Sequence, residues 1–486
     1  MDRKCDVVII GAGIVGCALA YELAQYQLSV AVLEKEADVG WGASKANSGI
    51  IHASVHAEPQ TLKAKLCREG NELYKELAPK LGVELRKTGM LMVAQSEQQL
   101  KSLEEAKKRG RANGEVGLQL LSREELLAKE PALSPAVAGG LFAPSACTIA
   151  PYKMTVALFE AAQTNGVKFY FQEPVKEFVL ENGQIAAVKT VNLTISTRFV
   201  VDAAGLAAGE VAELAGCGFQ LLPRAGEEYI LDKKVGDIVS HVIFPLPTPT
   251  SKGILAIPTA DHNLMVGPTA SDGVANTHTT PEGKQQVFSF IKKLIPSISE
   301  RNVIASFAGV RPVSETDDFL IGPTSCTGFF LAAGMQSPGL TAAPAVAKML
   351  TGMLAEAGLK LVKKEQLLPR SKPLEFRELS RQRREELIRQ DPAWGRIICR
   401  CEEVTEAEIV EAIRRGATTL DGIKFRTRLG MGRCQGGFCT PRVMKIIARE
   451  LGIPLTAINK RGTGTEVAPL ESKQLLAEED KDELFF

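Results

Sequence analysis

The sequence predicts an α/β protein with an inserted antiparallel sheet and a small helical C-terminal domain. Three features support this fold class. Near the N-terminus, an apolar strand pattern runs into GAGIVG, a helical pattern and a second strand that ends in an acidic residue. Two more strand–turn–helix patterns follow, FVVDAAGLAAGEVAEL and GFFLAAGMQSPGLTAAPAVAKMLTGML. Four cysteines stand in two close pairs near the C-terminus, between patterns of short helices.

Length and composition describe an ordinary globular chain. Its 486 residues suit roughly two to four domains of about 100–200 residues each. The 58 basic and 57 acidic residues nearly cancel, so nothing indicates binding to nucleic acid. No apolar run reaches the roughly 20 residues that span a bilayer, and we predict no transmembrane segment.

The N-terminus, MDRKCDVVIIGAGIVGCALA, superficially resembles a secretory signal. Its glycines disfavour a signal helix, and a nucleotide-binding turn explains them better. We therefore expect a cytoplasmic protein with reduced thiols. A peripheral position at the membrane, held through a partner, is the alternative.

The first motif predicts a dinucleotide site. Gly11 allows a tight turn, Gly13 lets the backbone approach a pyrophosphate, and Gly16 allows close helix–strand packing. Amides at the start of the helix face the phosphates, and Glu34 is placed to accept hydrogen bonds from ribose hydroxyls. The motif by itself does not separate FAD from NAD, and a glycine-rich turn without ligand is the other interpretation. A single copy indicates one dinucleotide.

The segment around residues 328–354 favours FAD. A strand pattern is followed by a loop from Gly334 to Gly339 and by a helix from Leu340 onward. The N-terminal amides and the positive dipole end of that helix suit the pyrimidine side of a flavin, where negative charge develops on reduction. An ordinary strand–loop–helix unit is the alternative for this segment taken alone.

Five segments occur in the order found in one family. They are the N-terminal motif, WGASKANSGIIHASVHAEPQTLKAKLCREGNELY, VVDAAGLAAGEVAEL, AGVRPVSETDDFLIGP and GMQSPGLT. Together they resemble the FAD-dependent glycerol-3-phosphate dehydrogenase and L-2-hydroxyglutarate oxidase group of the D-amino-acid oxidase superfamily, over about residues 1–360. The resemblance implies a Rossmann-like FAD domain with an inserted antiparallel substrate domain. The motif and the resemblance together place FAD against Gly11, Gly13, Gly16, Glu34, Lys35, Ser44, Ser48, Gly49, Ala204, Gly205, Gly334, Gly339, Leu340 and Thr341.

The implied domains are discontinuous. The FAD domain is expected at 1–75, 150–215 and 310–360, the substrate domain at 76–149 and 216–309, a linker at 361–395, an iron–sulfur domain at 396–455 and a tail at 456–486. Candidate strands of the substrate sheet are LRKTGMLMVAQ, KFYFQ, KGILAIPT and NLMVGPTA. The turn ADHN suits a hairpin between the last two strands.

The resemblance also implies site residues. His52 is expected near the flavin, where a neutral imidazole takes the hydroxyl proton of an alcohol while its hydride goes to the flavin. A structural histidine is the alternative. Arg311, in AGVRP, resembles the family arginine that contacts a substrate carboxylate or phosphate. Lys252 and His241 are weaker candidates for substrate binding.

One position departs from the family pattern. Glycerol-3-phosphate dehydrogenases commonly carry arginine and tyrosine shortly after the position of His52, whereas this chain has His56 and Ala57. A phosphate site loses a permanent cation there. Lys252, His56 and Arg311 are the residues left to hold a dianion.

The four C-terminal cysteines predict a metal centre. Cys399 with Cys401, then Cys434 with Cys439, form C-x-C and C-x4-C pairs that resemble bacterioferritin-associated-ferredoxin-like domains, which bind a 2Fe–2S cluster. Structural zinc and unligated core cysteines are the alternatives. Thr405 with the glutamate three residues later predicts a capping box at the start of a helix.

We therefore predict an FAD-dependent dehydrogenase that oxidises the secondary hydroxyl of a small anionic substrate. Glycerol 3-phosphate, oxidised to dihydroxyacetone phosphate, is the first candidate; an L-2-hydroxy acid such as L-2-hydroxyglutarate is second, and an amine or imino acid third. The cluster suggests one-electron transfer toward an acceptor protein or a quinone-linked subunit, in a hetero- or homo-oligomer. A flavin and iron–sulfur redox sensor or electron carrier is the hypothesis from another class.

Overall fold

The computed structural model describes residues 2–246 and 253–470. The chain forms two compact units, one from Met1–Lys35 and Val39–Arg370 and the other from Glu36–Asp38 and Ser371–Phe486. Within the described residues, no helix combines the length and the apolar character needed to cross a membrane.

The helices and strands of the first unit are numbered in chain order. The strands are β1 (Asp2–Lys4), β2 (Val7–Ile10), β3 (Val30–Leu33), β4 (Ile50–Ile51), β5 (Leu85–Arg86), β6 (Met90–Ala94), β7 (Gln119–Ser122), β8 (Gly139–Ala143), β9 (Cys147–Ile149), β10 (Lys168–Tyr170), β11 (Glu177–Glu181), β12 (Gln184–Lys189), β13 (Thr194–Ser196), β14 (Phe199–Asp202), β15 (Leu222–Leu231), β16 (Val242–Pro245), β17 (Leu255–Pro258), β18 (Leu264–Gly267), β19 (Ser271–Asp272), β20 (Val303–Val313), β21 (Leu320–Pro323) and β22 (Phe329–Ala333). The α-helices are α1 (Ile14–Leu23), α2 (Leu62–Lys80), α3 (Leu100–Ala112), α4 (Arg123–Lys129), α5 (Pro151–Thr164), α6 (Ala208–Glu213), α7 (Pro281–Leu294) and α8 (Gly339–Glu356).

A six-stranded sheet in the order β10-β3-β2-β14-β22-β21 forms the nucleotide-binding half of the first unit. Its strands are parallel except for β21, which pairs antiparallel with β22. Strands β2, β3 and β14 are buried along their whole length, as expected for a parallel sheet covered on both faces. The Rossmann-like domain predicted from the sequence is therefore confirmed.

Strand β10 corrects one prediction. KFYFQ is expected in the substrate sheet, but Lys168–Tyr170 pairs in parallel with β3 at the edge of the nucleotide sheet. The reason lies in the preceding helix α5, which provides the crossover that a parallel strand requires. The ring of Phe159 on this helix packs 4.7 Å from that of Phe169 on the strand.

The second large sheet runs in the order β19-β15-β18-β17-β16-β6-β8-β7, with β20 paired to β15. It contains the predicted hairpin, since β17 and β18 pair antiparallel across the turn. Its neighbouring strands pair antiparallel except for β6 with β16. One face packs on α7 through a cluster that includes Leu91, Tyr229, Ile243, Val266 and Phe288. The opposite face packs on the chain near His52 through a cluster that includes Ile50, Ala53, Met92, Phe244, Ile257 and Met265. Two smaller sheets, β1-β13-β12-β11 and β4-β9-β5, complete the unit.

The second unit is a small helical domain with a two-stranded ribbon. It contains β23 (Ile397–Cys399), β24 (Val404–Thr405), α9 (Arg381–Gln390), α10 (Glu406–Arg414), α11 (Leu420–Thr427) and α12 (Thr440–Leu451). The predicted capping box is present, because Thr405 Oγ1 accepts from the amide of Glu408 while the Glu408 side chain accepts from the amide of Thr405.

The bounds of this unit differ from those expected from the sequence. The expected linker, 361–395, is divided, because residues from Ser371 onward group with the second unit. Part of the expected tail is also packed. Ile458 is buried in the core of the unit, among residues of α10, α11 and α12.

Candidate functional site

The glycine loop after β2 is tightly packed against its neighbours. Gly11 has φ +96°, and a Cβ there would lie 2.6 Å from the carbonyl oxygen of Ala203. A Cβ on Gly16 would lie 2.0 Å from the carbonyl oxygen of Gly11. Both positions therefore exclude any larger residue. The amide of Ile14, in the first turn of α1, donates to Ser44 Oγ at 2.8 Å, which fixes the loop against residues 44–49.

Glu34 lies where the sequence predicts, directly after β3. Its Oε2 accepts from the amide of Ala12 at 2.7 Å, so the carboxylate stands beside the glycine loop. Lys35 follows and is exposed. Parallel strands that end at one edge of a sheet place such groups together, and this edge is where dinucleotides bind in doubly wound folds.

A third segment, at the end of β14, meets the same edge. Asp202 is fully buried, and its Oδ1 accepts from the amide of Ala204 at 3.0 Å. Burial raises the pKa of Asp202 to about 8, which favours the protonated form of its carboxyl. Gly205 then turns the chain with φ +64°. Asp202 was not among the residues selected from the sequence.

The N-terminal turn of α8 is fixed by three contacts. The amide of His52 donates to Thr341 Oγ1 at 3.0 Å, and the hydroxyl of Tyr74 donates to the carbonyl of Leu340 at 2.9 Å. Helix α2 passes so close that a Cβ on Gly70 would lie 1.9 Å from the Thr341 carbonyl oxygen. The helix begins at Gly339, after a turn at Gly334. These contacts bring α8, α2 and β4 together.

His52 is 8% exposed and held through its backbone as well as its ring. Its carbonyl accepts from Asn71 Nδ2 at 3.0 Å. Its Nε2 lies 3.4 Å from Ser337 Oγ, in the loop before α8. The His56 ring lies 6.4 Å from the His52 ring, and Phe244 on the second sheet lies 6.0 Å from it. His52 thus lies between the loop before α8 and the face of the second sheet.

Arg311 lies on that same sheet face. Strands β15 and β20 pair antiparallel, with Arg311 opposite Arg224 and Phe307 opposite Glu228. Residues directly opposite each other share a face, and Phe307 packs on the cluster near His52. Arg311 Nη2 donates to the carbonyl of Thr269 at 2.8 Å, which fixes one edge of the guanidinium. Burial lowers the pKa of Arg311, and the charge of Glu228 opposes that shift.

Glu228 is a further buried group on this face that sequence reasoning missed. It is 2% exposed, and Ser48 Oγ donates to its Oε1. Burial raises the pKa of Glu228 to about 7, although the Ser48 hydrogen bond and the charge of Arg311 both oppose the shift. Two adjacent acids in the apolar strand GEEYIL are the signal from which it could have been found. The neighbouring Glu227 accepts instead from the hydroxyl of Tyr229 at 2.8 Å.

The structure separates one of the weaker candidates, His241, from this site. His241 Nδ1 lies 2.6 Å from the buried carboxylate of Glu130, and its ring packs 5.6 Å from Phe142. Phe142 packs on the core of the other sheet face, so His241 is not grouped with His52. Lys252 lies outside the described residues.

The four predicted thiols come together in the second unit, since Cys401 and Cys434 both interact electrostatically with Cys399. Cys401 Sγ lies 3.7 Å from Cys434 Sγ, and the Cys439 thiol donates a hydrogen bond to Cys399. That bond, with the amides of Gly430 and Glu402, lowers the pKa of Cys399 to about 6. Burial raises the pKa of Cys434, but the amides of Phe438 and Gly436 outweigh it, so the net shift is downward.

Such converging amides stabilise sulfur that carries negative charge. Among the described residues, no group of three or more His, Cys, Asp or Glu side chains has the geometry of a ready-made metal site. The thiols are instead arranged in two pairs. Two thiol pairs surrounded by amide donors fit a cluster with two irons bridged by sulfides.

Burial divides the centre into an inner and an outer side. Cys399 and Cys439 are 1% and 2% exposed, whereas Cys401 is exposed. Phe438, beside Cys439, is 84% exposed. Next to the thiols, the buried Glu402 accepts from Arg428 Nε at 2.9 Å and from Arg377 Nη1 at 3.1 Å. The centre therefore has one protected side and one side that reaches the surface.

Two family models match the chain. Residues 6–353 match "FAD dependent oxidoreductase", and residues 397–449 match "BFD-like [2Fe-2S] binding domain". The chain belongs to the family of FAD-dependent oxidoreductases, and it carries FAD and a 2Fe–2S cluster. The close-packed glycine loop fits the first cofactor, and the thiol pairs with their amide donors fit the second.

Three proteins similar to this chain are named as glycerol-3-phosphate dehydrogenases or as a glycerophosphate oxidase. The chain is 40% identical to the glycerol 3-phosphate dehydrogenase of Caloramator mitchellensis, across 95% of this chain and 98% of the relative. It is 25% identical to one of the subunits of the anaerobic glycerol-3-phosphate dehydrogenase of Escherichia coli, across 92% of this chain and 89% of the relative. The dithionite-reduced L-α-glycerophosphate oxidase of Mycoplasma pneumoniae, solved with FAD bound, is 34% identical, with a TM-score of 0.72, across 76% of this chain and 98% of that chain.

Proposed function

We propose that this chain oxidises the secondary hydroxyl of glycerol 3-phosphate and releases dihydroxyacetone phosphate. The observation that carries the proposal is the 40% identity to a glycerol 3-phosphate dehydrogenase, because it extends over 98% of that protein's length. Bound FAD supplies the two-electron acceptor, and the 2Fe–2S cluster supplies one-electron transfer. The chain's own residues bind the substrate and move its proton.

His52 is the proposed base. Its backbone is anchored by Thr341 and Asn71, so the position of the ring is set by the packing of α8 and α2. A neutral imidazole at this place accepts the proton of the C2 hydroxyl as the C2–H electron pair leaves. Ser337 Oγ, 3.4 Å from Nε2, helps to orient the ring.

Arg311 is the proposed anchor of the phosphate. Thr269 holds one edge of its guanidinium, which leaves the remaining N–H groups in a fixed direction. We propose that His56, near His52, and Lys252 complete the anion site. His241 is left out of it, because Glu130 binds it on the other sheet face.

The proposed FAD contacts follow the segments that meet at the edge of the nucleotide sheet. Gly11, Gly13, Gly16 and Ser44 support the pyrophosphate, Glu34 and Lys35 the adenosine ribose, and Ser48, Gly49, Ala204, Gly205, Gly334, Gly339, Leu340 and Thr341 the rest of the cofactor.

The proposed cluster ligands are Cys399, Cys401, Cys434 and Cys439. The exposed side of that centre suits electron transfer to an acceptor protein. Because the similar Escherichia coli protein is itself one subunit of an enzyme, the likeness supports an assembly of this chain with other subunits.

An anaerobic screen of flavin reduction tests the function. Glycerol 3-phosphate should bleach the flavin absorbance at a lower concentration and a higher rate than L-2-hydroxyglutarate, glycerol or amino acids. Faster bleaching by L-2-hydroxyglutarate would transfer the proposal to the 2-hydroxy-acid branch. If no small alcohol or amine bleached the flavin, a sensor or carrier role would replace catalysis.

A further inference from the structure

Glu228 is a buried acid that the oxidation chemistry does not use. It lies on the sheet face that carries Arg311, four residue pairs along the β15–β20 ladder from the Arg224–Arg311 pair. Its Oε1 accepts from Ser48, while its Oε2 is buried and accepts no hydrogen bond from any described residue. A carboxylate in such a place is solvated incompletely, which favours its neutral form.

The charged and polar groups near Glu228 lie on β20, on residues 44–49 and on β15, and β18 ends close to it. Strand β20 contributes the cation of Arg311, which acts on Glu228 electrostatically. Residues 44–49 contribute the neutral Ser48, and β18 ends nearby at Gly267. On β15 itself, Arg224 forms an ion pair with Asp272 of β19, so these two charges largely compensate each other.

Arg311 and Glu228 are not joined by a direct ion pair in the described structure. Arg311 donates to the carbonyls of Thr269 and Ala225, and Glu228 accepts from Ser48. The two side chains therefore have separate hydrogen-bond partners. What connects them is the electrostatic interaction across the buried sheet face.

We infer that Glu228 is the proton-linked counter-charge of Arg311, so that an anion which binds at Arg311 is accompanied by proton uptake at Glu228. The inference rests on the proposed role of Arg311 as the anion anchor. Ionised Glu228 takes one proton from solvent and becomes neutral when the anion binds at Arg311. No other reactant is needed.

The direction of the effect follows from charge. Because burial raises the pKa of Glu228 to about 7, ionised and neutral forms coexist near neutral pH. The ionised form offsets the Arg311 charge and repels an anion, whereas the neutral form leaves Arg311 uncompensated. A bound anion raises the pKa of Glu228 further, and by linkage the affinity for the anion falls as pH rises through this range.

Titration calorimetry with sulfate tests this coupling on the full-length protein loaded with both cofactors. Sulfate mimics a phosphate dianion but does not itself titrate between about pH 6 and about pH 8.5, so any pH dependence belongs to the protein. Two buffers with different ionisation heats report the number of protons taken up. We expect fractional proton uptake near pH 7 and a loss of affinity of about tenfold across this range, which corresponds to a pKa rise of about one unit on binding.

Glu228→Gln should remove the share of the proton uptake that Glu228 contributes and weaken the pH dependence. Glu227→Gln is the matched control, since Glu227 is the next residue of the strand, is buried and points to the other face, toward Tyr229 and Thr280. It should keep the wild-type proton count. If Glu228→Gln only disturbed the structure, the affinity for sulfate would change by the same factor at every pH.

Unaltered proton uptake in Glu228→Gln would overturn the inference. Zero proton uptake in the wild-type protein would also overturn the inference, and this result does not depend on whether the variant folds. The absence of measurable sulfate binding would overturn it as well. Sulfate binding requires no turnover. A failure of glycerol 3-phosphate to bleach the flavin would therefore overturn the proposed function and leave the proton count as a separate result.

Discussion

The two units differ in how far apart along the chain their site residues lie. In the second unit the four cysteines fall between Cys399, which ends β23, and Cys439, which directly precedes α12. In the first unit the site near His52 draws on Thr341, and Ser48 meets Glu228 across 180 residues. The ligand set proposed for the second unit follows from a local pattern. The geometry of the first depends on which strands pair and in which register.

The largest expected effect is the loss of the cluster without any loss of FAD. Cys434→Ser combined with Cys439→Ser should remove the cluster, with a loss of about two irons and two sulfides per chain, because two thiolate ligands disappear. FAD content should stay at the wild-type level. Cys217→Ser, at a cysteine outside the two pairs, is the control. Stoichiometric zinc instead of iron in protein purified without oxygen would contradict the cluster assignment.

A substitution in the glycine loop should have the opposite result, the loss of FAD with the cluster retained. Gly16→Ala places a Cβ 2.0 Å from the Gly11 carbonyl, so the loop must shift and FAD content should fall to a small fraction of wild type while iron stays bound. Gly352→Ala is the control, because a Cβ in that part of α8 meets nothing within 4 Å. The control should stabilise α8 by about 0.5–1 kcal/mol. Full flavin content in Gly16→Ala would show that the loop does not hold the cofactor.

A kinetic effect is expected next, at the residue that the fold brings to the loop before α8. His52→Ala should slow flavin reduction by the substrate about 10²–10⁴-fold, because the hydroxyl loses its base. Rapid mixing under anaerobic conditions isolates this step from reoxidation. His278→Ala, at an exposed histidine, should have no effect. A variant that keeps the wild-type rate and pH profile would make His52 a structural residue.

The smallest expected effect concerns substrate affinity. Arg311→Lys replaces a fixed fork by a point charge and loses the geometry held by Thr269. Since a charged hydrogen bond contributes about 1.5–3 kcal/mol, kcat/KM should fall about tenfold to a hundredfold. Arg301→Lys, at an exposed arginine, is the control. Unchanged steady-state kinetics would exclude Arg311 as the anchor.

Local chemistry was predictable from the sequence, and long-range packing was less so. The tight turn at Gly11, the Thr405–Glu408 capping box and the β17–β18 hairpin depend on residues close in sequence, and all three are confirmed. The two cofactors are confirmed as well.

The features that the sequence did not predict depend on contacts between distant segments of the chain. The strand at Lys168–Tyr170 has the composition of either sheet, and only the crossover through α5 decides its place. The role of Glu228 depends on the β15–β20 register and on Ser48, which no local pattern encodes. His241 was a weaker candidate for substrate binding, but the buried Glu130 that binds it lies 111 residues away in the sequence.

The contacts at the start of α8 have a consequence for how this part of the molecule responds to charge. Tyr74, the amide of His52 and the close passage of α2 at Gly70 hold the first turn of the helix from three sides. Its peptide dipoles therefore have their final orientation before any negative charge develops nearby. In water, dipoles must turn to meet a new charge, and that turning costs free energy. In this protein, folding has already oriented the dipoles of this turn, so the reorganisation energy of a charge-forming step beside it is small.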